Sequence, residues 1–303
     1  MKVLVIGFGS IGARHCRILK ELGHSVSVVS QHGTSEYPCY TDIEVALSRG
    51  RPEYVIVANR THQHFDALSQ LVECGFSGTV LVEKPLFYKN KKLPQNSFQN
   101  IFVAYNLRFH PLFQRLQSLL DGQSIITAHA YVGQYLPDWR PGQDYRKGYS
   151  VRKAEGGGVL NDLSHELDYL NWILGGWSSV VAVGGHFSQL AGDSDDVVGL
   201  LITMKKCPVT MIHLNYLDRV LRREVVINTS THTYSVDLAH GSLRVDEQTE
   251  TYVMERDDTY RAEHLAVMNR DHSSLCSFSQ GMDVVELICG AEKSMIKKSW
   301  VKR

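Results

Sequence analysis

No charge of either sign is in excess in this sequence. Thirty-two Lys and Arg balance 32 Asp and Glu over 303 residues, for a formal net charge of zero. That balance gives no general attraction for nucleic acid or an anionic membrane, so an anionic ligand has to be met by local groups. Long apolar runs are missing as well. No stretch approaches the ~20 apolar residues that cross a bilayer. The short run after Lys2, ended by glycines, lacks the layout of a secretory leader. Cysteine is sparse: six, at 16, 39, 74, 207, 276 and 289, with no CxxC pair and no Cys/His set at zinc spacing. A metal is therefore not expected, and scattered thiols suit a reducing compartment, so the expected location is the cytoplasm. Internal repeats and low-complexity segments are absent too.

What is present is ordinary globular material, 43% hydrophobic and 21% charged. The length suggests two domains. Over residues 1–110, apolar runs at 2–6, 26–29, 54–58, 79–82 and 101–104 read as strands. Amphipathic stretches at 11–22, 43–48 and 64–74 read as the helices between them. Strands apolar on both faces and separated by helices predict a doubly wound parallel sheet, a Rossmann-type domain. Residues 88–99 are polar and lysine-rich and read as an irregular connection or a frayed helix.

From 111 to 303 the pattern changes. A helix at 112–120, an alternating strand at 125–134, an irregular aromatic stretch at 135–149 and a helix at 156–174 lead into a series of strands. These fall at 180–186, 197–204, 209–217, 224–229, 233–237, 242–245 and 251–254, and a helix at 281–297 follows. The expectation is an α+β domain with one open, mostly antiparallel sheet and helices on one face.

Two segments carry chemistry. The first is Gly7-Phe8-Gly9-Ser10-Ile11-Gly12, a G-x-G-x-x-G run between a strand and a helix. Gly7 allows the turn, Gly9 lets a pyrophosphate approach the backbone, and Gly12 lets strand and helix pack. The helix N–H groups then meet the phosphates. The second strand ends in Val29-Ser30-Gln31-His32 rather than in the acid that holds an NAD ribose. Ser30 and Gln31 can donate hydrogen bonds, and Arg14 or Arg17 could reach a 2′-phosphate, so the reading leans to NADP(H) over NAD(H). The second segment is Gly156-Gly157-Gly158-Val159-Leu160-Asn161-Asp162-Leu163-Ser164-His165-Glu166. On one continuous helix, Asp162 and His165 share a face with Glu166 near it. A carboxylate beside an imidazole can orient the ring as a general base. Between these segments, Glu83-Lys84-Pro85 closes the fourth strand at its carboxyl end, and Pro85 restricts Lys84 to extended geometry.

Taken in order, the glycine run, Glu83-Lys84-Pro85, Asn106-Leu107-Arg108-Phe109-His110-Pro111 and the glycine-led Asp162/His165 segment resemble the glucose–fructose oxidoreductase and inositol dehydrogenase family (Gfo/Idh/MocA) over essentially the whole chain. That resemblance implies a dinucleotide-binding domain at 1–110 and a substrate-binding and oligomerisation domain at 111–303, with nicotinamide and substrate held between them. It implies a dehydrogenase or reductase acting on a CH–OH group. Lys84 and His165 match the family's catalytic pair, and Asp162 is similar to the acid that precedes the histidine. The family spacing is four residues, here three, so Asn161 competes for that role. Ala58, Asn59, Thr61 and His64 resemble the loop along the cofactor ribose. Glu83, Asn106 and Arg108 resemble residues near the nicotinamide. Tyr135, Trp139, Arg140, Tyr145 and Arg146 form a loop that reads as substrate-selecting or as a subunit contact. The substrate class implied is a sugar or sugar nucleotide, of the kind handled in bacterial surface-polysaccharide and nonulosonate synthesis, and the assembly implied is a homodimer or homotetramer. Two other readings stand beside this one: a redox-neutral lyase or glycosidase using NAD transiently, and a non-catalytic dinucleotide-binding regulator.

Overall fold

The computed structural model of the protein describes residues 1–31 and 33–303. In chain order, the first elements are β1 (Lys2–Ile6), α1 (Ser10–Glu21), β2 (Ser25–Val29), β3 (Cys39–Tyr40), α2 (Ile43–Gly50), β4 (Tyr54–Val57), α3 (His64–Glu73), β5 (Thr79–Val82) and β6 (Asn100–Val103). Next come α4 (Pro111–Leu120), β7 (Ile125–Gly133), α5 (Val159–Asp162) and α6 (His165–Leu174). A run of strands follows: β8 (Trp177–Gly185), β9 (Val197–Met204), β10 (Cys207–Asn215), β11 (Arg222–Thr229), β12 (Thr233–Asp237), β13 (Ser242–Val245) and β14 (Gln248–Thr251). Last are α7 (Asp258–Asn269), β15 (Cys276–Ser277), α8 (Phe278–Lys297) and β16 (Val301–Lys302).

These elements form two compact units: Met1–Asn106 with Arg256–Met282, and Leu107–Glu255 with Asp283–Arg303. The sequence reading drew a single boundary near 110. The stretch carrying α7 and β15 instead packs with the first unit. Alpha-7 escaped notice because it has no apolar stripe: Thr259, Glu263 and His264 are buried alongside Ala266 and Val267.

Among the described residues, the first unit holds a seven-stranded sheet in the order β15-β6-β5-β4-β1-β2-β3. It is parallel throughout, apart from the β15–β6 pair. Val55, Ile56 and Val57 on β4 and Val80, Leu81 and Val82 on β5 are all fully buried. Successive strand side chains point to opposite faces, so both faces of the sheet are covered. Strand β1 pairs with both β2 and β4. The strand order reverses there, and the loops after β1 and β4 sit where open sheets of this type take ligands. The polar segment at 88–99 forms no helix or strand.

The second unit holds a nine-stranded sheet among the described residues, in the order β14-β13-β12-β11-β7-β10-β9-β8-β16. It is antiparallel except where β10 runs parallel to β7. One face is packed: Ala128, Ala130 and Val132 of β7, Ile212 and Leu214 of β10, and Val225 and Ile227 of β11 are buried. The alternate residues Ile126, Leu201, Val209 and Met211 are exposed. Two helices press together on the core side, with the rings of Phe113 (α4) and Tyr169 (α6) stacked at 4.1 Å. The single helix expected at 156–174 is two helices, separated at Leu163, whose φ and ψ of −101° and 29° leave the helical well. The strand expected at 251–254 is β14, three residues earlier. No helix among the described residues is long and apolar enough to cross a membrane.

Candidate functional site

The glycine turn behaves as its spacing predicts. Gly7 has φ +98°, and a Cβ there would lie 2.6 Å from the Asn59 nitrogen. Gly12 is closed by the Gly7 carbonyl, so α1 can rest on β1 only without a side chain at that position. Gly9 faces open space: among the described residues, a Cβ there would meet nothing within 4 Å. Helix α1 starts there with no side-chain cap among the described residues and no acidic residue in its first turn, so that turn supplies no acid to its N–H groups and positive dipole end. Beside the turn, the buried Oδ1 of Asn59 has no hydrogen-bond partner among the described residues. An open cradle over a glycine, a helix start without a side-chain cap and an orphaned acceptor fit a dinucleotide's pyrophosphate and ribose hydroxyls. Phe8 leans edge-on to Tyr37, with ring centres 5.8 Å apart. Ser10 is exposed and Ile11 half-buried on the same first turn.

Other residues expected at the nucleotide are engaged elsewhere. Ser30 follows β2, its N–H donating to the Tyr40 carbonyl at 2.9 Å. Gln31 donates its side-chain amide to the Thr41 carbonyl at 3.0 Å. Arg14 and Arg17 both pair with Asp257, and Arg14 also stacks over Tyr260 at 5.0 Å. The two cations expected to reach a 2′-phosphate are thus held by an acid from the returning segment. Ala58 and Thr61 are buried. His64, expected along the ribose, is 1% exposed. Its Nε2 lies 3.1 Å from the Asn59 carbonyl and its Nδ1 lies 3.1 Å from the Pro85 carbonyl. It braces two loops. Asn106 donates to the Thr259 hydroxyl at 2.7 Å.

The Glu83-Lys84-Pro85 segment closes β5, with Lys84 half-buried and the Lys84–Pro85 peptide cis. Glu83 is engaged within the protein. Its Oε1 lies 2.9 Å from His15 Nε2, and its Oε2 accepts the Lys84 N–H at 3.0 Å. Burial by itself would raise this carboxyl, but the His15 hydrogen bond and the Lys84 charge hold it below the usual range.

In the second unit the helix break sets the geometry. Asp162 ends α5 and His165 opens α6, so the shared helical face expected for them does not exist. Asp162 Oδ2 accepts the Tyr216 hydroxyl at 2.7 Å. The Tyr216 ring is met edge-on by Trp139 at 5.2 Å, and Trp139 donates its indole N–H to the Gln134 carbonyl at 3.3 Å. One residue earlier, the buried Oδ1 of Asn161 has no partner among the described residues. An acid oriented by a tyrosine, with a vacant amide acceptor beside it, can hold substrate hydroxyls. Behind them, Asp195 accepts the Leu160 N–H at 3.2 Å, and burial raises its carboxyl above the usual range.

Glu166 does not join Asp162. It is fully buried and takes a two-pronged contact from Arg223 at 2.7 and 3.0 Å. Arg108, expected near the nicotinamide, is 1% exposed and gives Nε and Nη2 to Asp168 at 2.9 and 2.7 Å, so it is a core cation. In the aromatic loop, Arg219 lies over Tyr135 at 3.4 Å, and Arg140 lies over Tyr149 at 5.9 Å. Tyr145 accepts the Ala191 N–H at 3.2 Å. The exposed Arg146 pairs with Asp144, two residues away. Tyr216 escaped the sequence reading because only strand register brings it to Asp162. His15 carried a faint signal, lying one turn after Gly12 on the buried face of α1.

Among the described residues, five histidines are held below the usual imidazole range, and three of them, His64, His110 and His264, give the fold an acid limit. Burial holds His64 and His264 below the usual imidazole range. Burial, helped by Arg223, pushes His110 down to about 4. Such a group is neutral when folded but protonates in the unfolded chain below ~6.5. Its contribution is complete above that pH and is lost as pH falls toward the folded value. The free energy of urea unfolding is expected to be level near pH ~7–8. It should then fall between pH ~6.5 and ~4 at up to ~1.4 kcal/mol per unit for each histidine. A level profile through that window would contradict the assignment.

Comparison with known proteins adds the following. Residues 1–93 match the GFO_IDH_MocA model, an oxidoreductase family with an NAD-binding Rossmann fold, and residues 113–243 match the GFO/IDH/MocA C-terminal domain. The uncharacterized oxidoreductase sll0816 of Synechocystis sp. is 26% identical over 151 residues, covering 47% of this chain and 40% of that protein. The match thus spans two fifths of that relative's length. The WlbA dehydrogenase from Bordetella pertussis, solved with NADH and UDP-GlcNAcA, has a TM-score of 0.82 at 17% identity over 99% of this chain and 98% of that one. Levoglucosan dehydrogenase, solved with NADH and levoglucosan, has a TM-score of 0.84 at 16% identity over 99% and 98%. At these identities the likeness to solved structures is one of fold.

Proposed function

From the premise that this chain belongs to the Gfo/Idh/MocA family of NAD-binding oxidoreductases, we propose that it transfers a hydride between a nicotinamide dinucleotide and a secondary alcohol or ketone of a sugar or sugar nucleotide. The observation that carries this reading is the open cradle over Gly9 in the same unit as Lys84 at the end of β5. When bound, the dinucleotide supplies the C4 position that takes or gives the hydride. Lys84 is assigned the cation that polarises the reacting oxygen and steadies its developing charge. His165 is assigned the proton acceptor for the hydroxyl, and the donor when a ketone is reduced. Asp162, oriented by Tyr216, and Asn161 are assigned to substrate hydroxyls. The substrate class follows the fold relatives, whose ligands are a sugar and a sugar nucleotide. Surface-polysaccharide or nonulosonate synthesis in the cytoplasm is the setting proposed, and the exposed apolar face of the second sheet is the surface proposed for self-association.

Of the two dinucleotides, NAD(H) is now the one proposed. The lean to NADP(H) drew on the missing acid after β2, on Ser30 and Gln31 as donors and on Arg14 and Arg17; both arginines are engaged by Asp257, and the Gln31 amide by the Thr41 carbonyl. Fluorescence titration should find NADH bound tighter than NADPH by about tenfold or more, ~1.4 kcal/mol. Nucleotide sugars and free sugars are then screened for absorbance change at the nicotinamide band. Failure of both dinucleotides to bind, or unchanged NADH affinity in Gly9→Val, would overturn the reading.

A further inference from the structure

Four buried groups that the proposed chemistry does not use stand in one line through the first unit. The Tyr54 hydroxyl (β4) lies 3.1 Å from His264 Nδ1 (α7). His264 Nε2 lies 2.8 Å from His15 Nδ1 (α1), and His15 Nε2 lies 2.9 Å from Glu83 Oε1, whose second oxygen accepts the Lys84 N–H. Tyr54, His15 and His264 are each no more than 1% exposed. Tyr260, Arg14 and Glu263 stand around the line on α1 and α7, His24 acts on His264, and Lys84 acts on Glu83.

Two proton arrangements satisfy the spacing. If His15 is an imidazolium, it donates both ways, His264 donates to the Tyr54 oxygen, and the buried Tyr54 proton is left without an acceptor among the described residues. If His15 is neutral, Tyr54 donates to His264 Nδ1, His264 donates to His15 Nδ1, and His15 donates to Glu83. Every proton then has a partner, and all three dipoles point at the carboxylate. An unmatched buried hydroxyl is costly and aligned donors reinforce one another, so the second arrangement prevails.

We propose that Tyr54, His264 and His15 form a one-directional buried relay of hydrogen bonds that fixes the Glu83 carboxylate against the main chain of Lys84, and that His264 is a positioning residue for Lys84. This rests on the proposed function only for what Lys84 then does. The relay also gives the returning segment a task, because one of its own side chains tunes the loop at the end of β5. Glu83 oriented in this way holds the His15 N–H, the Lys84 N–H and the nearby Lys84 charge, and released it serves none of them in a fixed geometry.

The test uses the full chain. Long-range nitrogen–proton NMR reports which ring nitrogen carries the proton in His15 and His264. Both rings are expected as Nε2–H tautomers, and a doubly protonated His15 or an Nδ1–H ring at either position overturns the relay. In parallel, Lys84 is modified with pyridoxal 5′-phosphate, trapped with borohydride, and followed by peptide mass. His264→Leu should change its rate about fivefold, the ratio equivalent to ~1 kcal/mol, one typical hydrogen bond. Lysines outside the first unit should change less than about twofold. His264→Gln keeps a donor toward His15 and an acceptor for Tyr54, so it should restore the wild-type rate. An unchanged rate in His264→Leu, or no rescue by Gln, overturns the positioning role. If the Leu variant does not fold, the tautomers and the Gln variant still decide. NADH protection of Lys84 in the wild type is read separately, so its absence counts against the oxidoreductase reading and not against the relay.

Discussion

Lys84→Met and His165→Asn should each lower turnover on the sugar found by screening by ~10²–10⁴-fold, while NADH affinity shifts by less than about threefold. Methionine keeps the length and apolar stem of lysine and removes the charge. If Lys84 stabilises a developing alkoxide, the loss falls on the step in which that charge appears, and so on kcat. Asparagine at 165 keeps a polar group of similar reach at the start of α6 but cannot take a proton. The pair also separates this mechanism from a passive binding site, in which both variants would raise KM and spare kcat. Wild-type kcat in either variant would remove that residue from the chemistry.

Arg108→Leu should destabilise the second unit by about 3–5 kcal/mol in urea unfolding, because it leaves Asp168 charged and buried. The side chains of Arg108 and Asp168 are 1% and 2% exposed, and two short bonds join them. Such a pair is costly to assemble, so it contributes little beyond an apolar equivalent, yte breaking it strands one ion in the core. The double variant Arg108→Leu with Asp168→Leu should therefore recover most of the loss, a coupling that a double-mutant cycle measures directly. Asp168 lies on α6, three residues after His165, so the single variant should also loosen the histidine's helix. A loss below about 1 kcal/mol for Arg108→Leu would show the pair to be incidental.

Much of this was readable in the sequence where local rules act alone. The runs 54–58 and 79–82 are apolar on both faces, which only a covered parallel sheet explains, and the glycine turn obeys steric limits that belong to single residues. What escaped depends on partners distant in sequence. Helix α7 buries His264 and Glu263, and a polar core face has no period to find. Arg14, Arg17 and Arg108 look like ligand-binding cations until Asp257 and Asp168 are placed beside them. The Asp162–His165 spacing suggested one helix, and a single non-helical residue, Leu163, was enough to undo it.

Because 256–282 completes the first unit, that unit is not a portable N-terminal module. On the ribosome, residues 1–106 emerge long before the acid that pairs Arg14 and Arg17 or the imidazole that meets His15. The nascent sheet must wait with those polar groups unmatched while residues 107–255 are made, which exposes it to chaperones and proteases for that interval. A fragment ending at 110 would inherit the same deficit permanently.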